Sequence, residues 1–220
     1  MLRFRPAVAH LNVLCIGAHP DDIEIGCGGT LLGFAARGQV TVHRLLLTGT
    51  PERVVEALAA ATAFGAGKTE FAGLPDGRLP AHWMDVKDFL EASAAALRTA
   101  GQAPDLILAP RADDAHQDHA LVGSLVSTVW RDAAVLHYEI PKWDGDLAPM
   151  THYVPLSAAI AQQKYQLLTE SYPSQLSHDW WDCDVFLGLM RLRGMECRSP
   201  FAEGFQSGKI IIDFGDGPLV

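Results

Sequence analysis

Residues 12–35 read NVLCIGAHPDDIEIGCGGTLLGFA, and this stretch decides the fold. Val13, Leu14, Cys15 and Ile16 form an apolar run without alternation, the pattern of a strand buried on both faces of a parallel sheet. Gly17-Ala18 ends the run, and His19, Pro20, Asp21, Asp22 and Glu24 follow as a dense polar cluster. Gly26, Gly28 and Gly29 are expected to loosen the backbone before a helix from Thr30 to Ala36. A strand, then ionisable groups, then a helix puts those groups at the carboxyl end of a parallel strand. Open α/β sheets place their sites there.

An imidazole and two adjacent carboxylates on a loop drawn tight by Pro20 repel or protonate unless something pairs them. A divalent cation does so through a neutral imidazole nitrogen and a carboxylate oxygen. Read alone, the stretch fits a solvated acidic loop with an N-capping aspartate equally well. A second cluster, Asp113-Asp114-Ala115-His116-Gln117-Asp118-His119, breaks the tie. It too follows a short apolar run, Leu106-Ile107-Leu108-Ala109, and precedes a helical segment. Two clusters at two strand ends of one sheet can meet above its edge. His-x-Asp-His adds two imidazoles, with a carboxylate between them able to fix a ring by hydrogen bonding. Together the clusters hold a His/Asp/His set with acid–base groups to spare, as a hydrolytic metal site requires.

Working outward, 220 residues of which 49% are apolar suit one domain with a sizeable core, spanning 1–220. The net charge of −9 and 17 scattered basic residues argue against a nucleic-acid surface. Cysteines 15, 27, 183 and 197 form no C-x-x-C pair, which reads as reduced thiols in a cytoplasmic protein. Cys27 reads as a small turn residue rather than a ligand. The first ten residues lack the apolar core of a signal peptide, and no run reaches membrane-spanning length.

Further strands are expected at 40–47, 69–74, 134–140, 152–156 and from Lys209 to Asp213. Helices are expected at 51–64, with Pro51 at its first position, and at 85–99, 119–131 and 158–171. The 85–99 helix carries an apolar stripe of Val86, Phe89, Leu90, Ala94 and Leu97. A last helix is expected to start within 177–181 and to continue to Leu192. His43 and His137 lie inside strands and read as sheet residues. Arg53 stands in a first helical turn, against the dipole, so it needs a partner: a substrate, or a carboxylate such as Glu56 or Asp76. Asp76 is accounted for by the turn Pro75-Asp76-Gly77-Arg78. Trp143, among charged loop residues, suits either a platform for a sugar ring or a loop anchor.

AHPDD, Glu24 and GCGGTL, with HQDH about a hundred residues on, resemble the PIG-L/LmbE-like zinc-dependent de-N-acetylase family. Arg53-x-x-Glu56, Leu74-Pro75-Asp76-Gly77, Lys164 with Ser174-Gln175, and Ala202-Glu203-Gly204-Phe205 extend the resemblance over nearly the whole chain. It implies a Rossmann-like α/β domain with a mostly parallel central sheet flanked by helices. It further implies one Zn2+ or similar divalent ion on His19, Asp22 and His119, with Asp21 as general base. His116 would assist the oxyanion or protonate the leaving amine, with Asp118 holding its ring, and Asp76 would lie near the pocket. Gln117 stands where the family often has proline. The loop after the second strand is shorter than usual, which implies a more open pocket. The implied substrate is a small N-acetylglucosamine-type conjugate giving acetate and a free amine, and a homo-oligomer is left open.

Two other readings stay open at this point. One is an amidase for a non-sugar or thiol-conjugate amide. The other is a metal–nucleotide sugar transferase or a cofactor-binding module, suggested by Gly26-Cys27-Gly28-Gly29 after a strand. The latter lacks the final glycine of G-x-G-x-x-G, has no acidic residue at the second strand's end, and leaves His116 and His119 unused.

Overall fold

The structure, a computed structural model, describes residues 9–211. Seven strands among these residues form one sheet: β1 (Leu11–Gly17), β2 (Val40–Thr48), β3 (Thr69–Leu74), β4 (Leu106–Pro110), β5 (Ala134–Tyr138), β6 (His152–Leu156) and β7 (Phe201–Gln206). Their order is β3-β2-β1-β4-β5-β7-β6. The first five pair in parallel, and β7 runs antiparallel to both of its neighbours. Six α-helices among the described residues cover the sheet: α1 (Asp22–Arg37), α2 (Pro51–Ala63), α3 (Trp83–Thr99), α4 (Gln117–Val129), α5 (Ala158–Ser171) and α6 (Cys183–Cys197).

The unbroken apolar run of β1 follows from burial on both faces. Val13 and Cys15 pack into a layer with Ile23 of α1, Ala57 and Ala60 of α2, Leu168 of α5 and Phe186 of α6. Leu14 and Ile16 pack into the opposite layer with Val86 and Leu90 of α3 and Val122 and Val126 of α4. A fully buried side chain of this size contributes roughly 1.5–3 kcal/mol, so both faces of the central strand hold the fold together. β1 lies between β2 on one side and β4 on the other. The boundary between β1 and β4 is the switch point of the sheet, and the two ionisable clusters follow the carboxyl ends of these two strands.

The glycine-rich segment is not a loop. α1 begins at Asp22 and runs through Gly26, Gly28 and Gly29, with one break at Cys27 (φ −144°, ψ 19°). The glycines are there for contact. A Cβ on Gly26 would overlap the Tyr138 ring, and one on Gly29 would stand 2.6 Å from Leu156 Cδ1. The break frees backbone groups, and the far end of the chain satisfies them. Glu203 Oε1 accepts from Gly29 N–H at 2.7 Å, and Glu203 Oε2 accepts from Thr30 N–H at 2.7 Å. Lys164 Nζ donates to Ile25 O at 2.6 Å and to Glu203 Oε1 at 2.7 Å. A buried carboxylate thus caps the second half of α1, where the helix dipole favours negative charge.

Other expectations shift as well. Residues 177–181 precede α6, which starts at Cys183 behind the capping Asp182 side chain. Residues 209–211 form no strand, and the remainder of that expected strand lies outside the described residues. The antiparallel strand at this end is β7, one segment earlier. Arg44 of β2 is fully buried, ion-paired with Glu24 of α1 and bonded to Ala57 O at 2.8 Å. Tyr172 Oη donates to the same Glu24 at 2.8 Å, so Glu24 belongs to the core and not to the polar cluster it follows in sequence.

Candidate metal centre and active site

The two clusters meet at the switch point. His19 Nδ1 lies 3.1 Å from His119 Nε2, His119 Nε2 is 3.2 Å from Asp22 Oδ1, and Asp22 Oδ2 is 3.5 Å from His19 Nδ1. Donors about 2.1 Å from a tetrahedral ion stand about 3.4 Å apart, so these separations suit one ion between the two nitrogens and the Asp22 carboxylate, which meets each ring with a different oxygen. Two imidazole nitrogens facing each other at 3.1 Å also need something between them, a proton or a cation. The residues present therefore fit a divalent ion. Two further groups share His19: the three rings of His19, His116 and His119, and His19 with Asp76 and Asp118. We favour the Asp22 set because it leaves each ligand ring's other nitrogen against a carboxylate, as metal-binding histidines require. His19 Nε2 is 3.2 Å from Asp118 Oδ2 and 3.1 Å from Asp76 Oδ1. His119 Nδ1 is 3.3 Å from Asp114 Oδ1, an ion-pair contact too oblique to count as a hydrogen bond.

Asp118 departs from expectation. Its buried carboxylate faces His19 and accepts from Gly77 N–H at 2.8 Å and Leu79 N–H at 3.1 Å, fastening the 74–79 turn to α4. It does not hold the His116 ring. The link to His116 runs through the backbone, Asp118 N–H donating to His116 Nδ1 at 3.2 Å and making His116 the N-cap of α4. Two positions past the N-cap, the Asp118 side chain is directed to His19 and to the 74–79 turn. Asp114 is a site residue that the motif alone does not single out, although it opens the run Asp-x-His-x-Asp-His. It accepts from His116 N–H at 2.8 Å and pairs with Lys142 Nζ at 2.9 Å.

Asp21 stands at the N-cap of α1 with φ 99° and makes no capping bond. A non-glycine residue held there costs about 1–3 kcal/mol, and such strain gathers at functional sites. What holds it is Arg53, whose Nη2 reaches Asp21 Oδ2 at 2.7 Å and also bonds Pro20 O. Arg53 Nη1 meets Glu56 Oε2 at 2.9 Å, and the guanidinium lies 5.1 Å from the Tyr172 ring centre. Glu56 is in turn fixed by Ser174, accepting from its N–H and its Oγ, each at 2.8 Å. The partner that Arg53 needs is a carboxylate, and Arg53, Glu56 and Ser174 form one scaffold behind Asp21.

Burial and neighbours set the protonation of the metal-free site. Burial raises Asp21 to about 7 against the pull of Arg53, and Asp22 adds to the rise. Burial lowers His119, but Asp22 and Asp114 outweigh it and bring its pKa to about 9. His19 is likewise raised, burial being overcome first by Asp22 and then by Asp118. Asp114 sits at about 2: burial works upward, and His119 and Lys142 outweigh it. His116 is lowered by burial and by the positive charge of His119 and His19, so it stays neutral.

The cleft above these groups has a volume of about 460 Å³. The Thr48–Thr50 loop, Asp76, Trp143 and Trp180 line its walls. Asp76 is 74% exposed on its turn, and Trp143 is 71% exposed on the loop after β5. His43 remains a strand residue, and His137 bonds Pro110 O at 2.7 Å.

A parallel-sheet α/β protein with a His/Asp/His group at its switch point is the class these observations define. The family model described as "PIG-L: GlcNAc-PI de-N-acetylase" matches residues 14–130, and the chain belongs to this family. An Escherichia coli protein described as "Uncharacterized deacetylase YaiS" is 30% identical over 142 residues, covering 59% of this chain and 74% of that protein. Among solved structures, the conserved protein TT1542 from Thermus thermophilus has a TM-score of 0.71 at 24% identity, covering 94% of this chain and 100% of that one. N,N'-diacetylchitobiose deacetylase from Pyrococcus horikoshii has a TM-score of 0.70 at 20% identity, covering 89% and 83%. GalB, the 4-carboxy-2-hydroxymuconate hydratase of Pseudomonas putida, has a TM-score of 0.70 at 18% identity, covering 93% and 99%. These likenesses establish the fold. Since the fold carries a hydratase as well as a deacetylase, the chemistry must be argued from the site.

Proposed function

We propose that the protein is a metal-dependent hydrolase that removes the N-acetyl group from an N-acetylamino sugar conjugate, giving acetate and a free amine. The observation that carries this reading is the pairwise approach of His19, Asp22 and His119 beside a buried Asp21 held in a strained conformation by Arg53. His19, Asp22 and His119 would hold the ion, which we take to be zinc, with another divalent transition metal as the substitute. When bound, it supplies Lewis-acid polarisation of the acetamide carbonyl and of water.

Asp21 accepts the proton of the attacking water as the new C–O bond forms. His116 accepts a hydrogen bond at Nδ1, so its neutral ring carries the proton on Nε2. That N–H donates to the developing oxyanion. The C–N bond then breaks, and the proton taken by Asp21 goes to the departing nitrogen. Asp118 and Asp114 position the ligand rings and do not touch the reacting atoms. Asp76 and Trp143 offer substrate a carboxylate and a ring face at the cleft walls, and Arg53 acts on substrate only through Asp21. One sheet carries both clusters, which supports reading 1–220 as one catalytic domain.

The test is acetate release with mass spectrometry of the amine product, run on metal-loaded protein. The panel holds N-acetylglucosamine, its conjugates and N-acetylated non-sugar amides. Turnover of a conjugated sugar well above the free sugar is expected, because binding energy from remote groups positions the acetamide. Turnover confined to non-sugar amides would overturn the substrate class, and retention of a nucleotide on purified protein would favour a transferase.

A further inference from the structure

The cleft has no cation to spare: the rings of His19 and His119, protonated or not, already face the carboxylates of Asp22, Asp76, Asp118 and Asp114. Among the described residues that line it, the permanently charged basic groups are Arg53 and Lys142. Arg53 is committed to Asp21 and Glu56. Lys142 uses its ammonium on Asp114 at 2.9 Å, on Asp146 at 2.9 Å and on Ile140 O at 3.4 Å, which accounts for its three donors. Arg78 is exposed on the turn after Asp76 and does not line the cleft.

Backbone donors give an anion little more. α2 opens at the cleft, but Pro51 has no N–H, Arg53 N–H goes to Thr50 Oγ1, and Val54 N–H goes to Thr50 O. Glu52 adds negative charge to that first turn. The cleft carries the acidic side chains of Asp21, Asp22, Asp76 and Asp144, and Asp144 has no ion-pair partner among the described residues. A divalent ion at the histidines would bring positive charge, but Asp21, Asp22 and Asp76 already face it.

What the cleft does offer is a corner of two indoles. Trp143 and Trp180 meet edge to face, centroids 6.3 Å apart at 80°. Trp180 is fixed from behind by Trp181 at 5.3 Å and stacks on His178 at 6.0 Å. Trp143 follows Lys142, whose ion pairs anchor its loop to the cluster on β4's side of the site. A large aromatic surface left exposed on a fixed frame is an ordinary device for stacking a ring.

We propose that the cleft takes N-acetylated conjugates whose body beyond the acetamide is uncharged or cationic and lays a flat apolar face in the Trp143–Trp180 corner, and that it rejects conjugates bearing phosphate or carboxylate. This rests on the deacetylase reading for the identity of the acetamide, but binding can be measured without turnover. The probes are the phenyl, aminopropyl and methyl glycosides of N-acetylglucosamine and its 1-phosphate. Binding is followed by tryptophan fluorescence on wild-type protein with chelator, where Arg53 keeps its Asp21 partner and no turnover competes, and on Asp21→Asn protein with metal, so that phosphate ligation to the ion is separated from binding to the protein. With chelator present, the phenyl and aminopropyl glycosides should bind at least about tenfold more tightly than the 1-phosphate. Trp143→Ala should weaken the phenyl glycoside by about three- to tenfold and the methyl glycoside less. Asp144→Lys should improve the 1-phosphate. Equal binding of the phosphate and phenyl forms, or a phenyl affinity indifferent to Trp143→Ala, would overturn the proposal. The expected binding order without acetate release from the wild-type protein would overturn the deacetylase reading and leave this one standing.

Discussion

Arg53 Nη2 lies 2.7 Å from Asp21 Oδ2, and this bond fixes the carboxylate that our mechanism uses as base. The two are 32 residues apart, one on the loop after β1 and the other in the first turn of α2. Asp22, next in sequence to Asp21, points the other way and accepts His19 N–H at 2.8 Å. The left-handed φ at Asp21 is what separates two adjacent carboxylates into two roles. Asp21→Asn retains an oxygen for Arg53 but cannot take a proton. It should keep the metal and lower kcat by about 10²–10⁴-fold with KM little changed. Asp22→Asn should lose the metal. Elemental analysis of the two variants decides, and the opposite pattern would exchange the roles.

Removing the guanidinium should move the pH profile and not only the rate. Arg53 pulls Asp21 down against burial, so Arg53→Met should raise the Asp21 pKa. The base works when ionised, and the acid limb of kcat/KM should therefore shift to higher pH, by about one to two units. Arg53→Lys should restore part of the shift. A lower rate with an unmoved limb would reduce Arg53 to a structural role.

Much of this site is legible in the amino-acid sequence, because both clusters directly follow apolar runs long enough to be strands. What escapes reading is whatever depends on distant partners. Arg44 looks like a polar interruption in a strand and is buried because Glu24 and Ala57 meet it there. The glycines of α1 look like loop residues and are helical because Tyr138 and Leu156 press against them. Asp118 looks like a partner for the ring two positions away, yet its side chain serves His19, 99 residues distant. Trp180 sits in a segment whose local pattern suggests a helix, and only the packing of 173–182 against α6 brings it to Trp143.

The Lys164–Glu203 pair makes a sharp stability prediction. Both side chains are buried, and between them they satisfy Gly29 N–H, Thr30 N–H and Ile25 O at the break in α1. Glu203→Leu strands a buried ammonium and two amides, which should cost about 3–5 kcal/mol. For a chain of this size that is roughly 6–20 °C in Tm. Many buried ion pairs can be replaced by apolar residues at little cost, but the double variant Lys164→Met/Glu203→Leu should not recover here. The orphaned backbone groups would remain. Calorimetry of the single and double variants tests this, and a double variant as stable as wild type would show that the break needs no cap.

The last prediction concerns protons and metal together. In the metal-free protein His119 has a pKa of about 9, since Asp22 and Asp114 outweigh its burial, and His19 is raised as well. At neutral pH these rings hold protons where an ion needs lone pairs, so metal uptake must expel them. Affinity should climb by roughly tenfold per pH unit for each proton released, with the His119 contribution levelling off above about pH 9. Stability runs the other way without metal. A histidine whose folded pKa lies above its unfolded value of 6.5 stabilises fully below that value and loses the contribution as pH rises through about 9. The Tm of the metal-free protein should therefore fall across this window while the gain on adding metal grows. Titration calorimetry in buffers of different ionisation enthalpy counts the protons directly. Asp114→Asn removes one of the carboxylates that raise His119 and should flatten the slope. An affinity that does not change between pH 6.5 and 9 would mean that the imidazoles of His19 and His119 do not hold the ion.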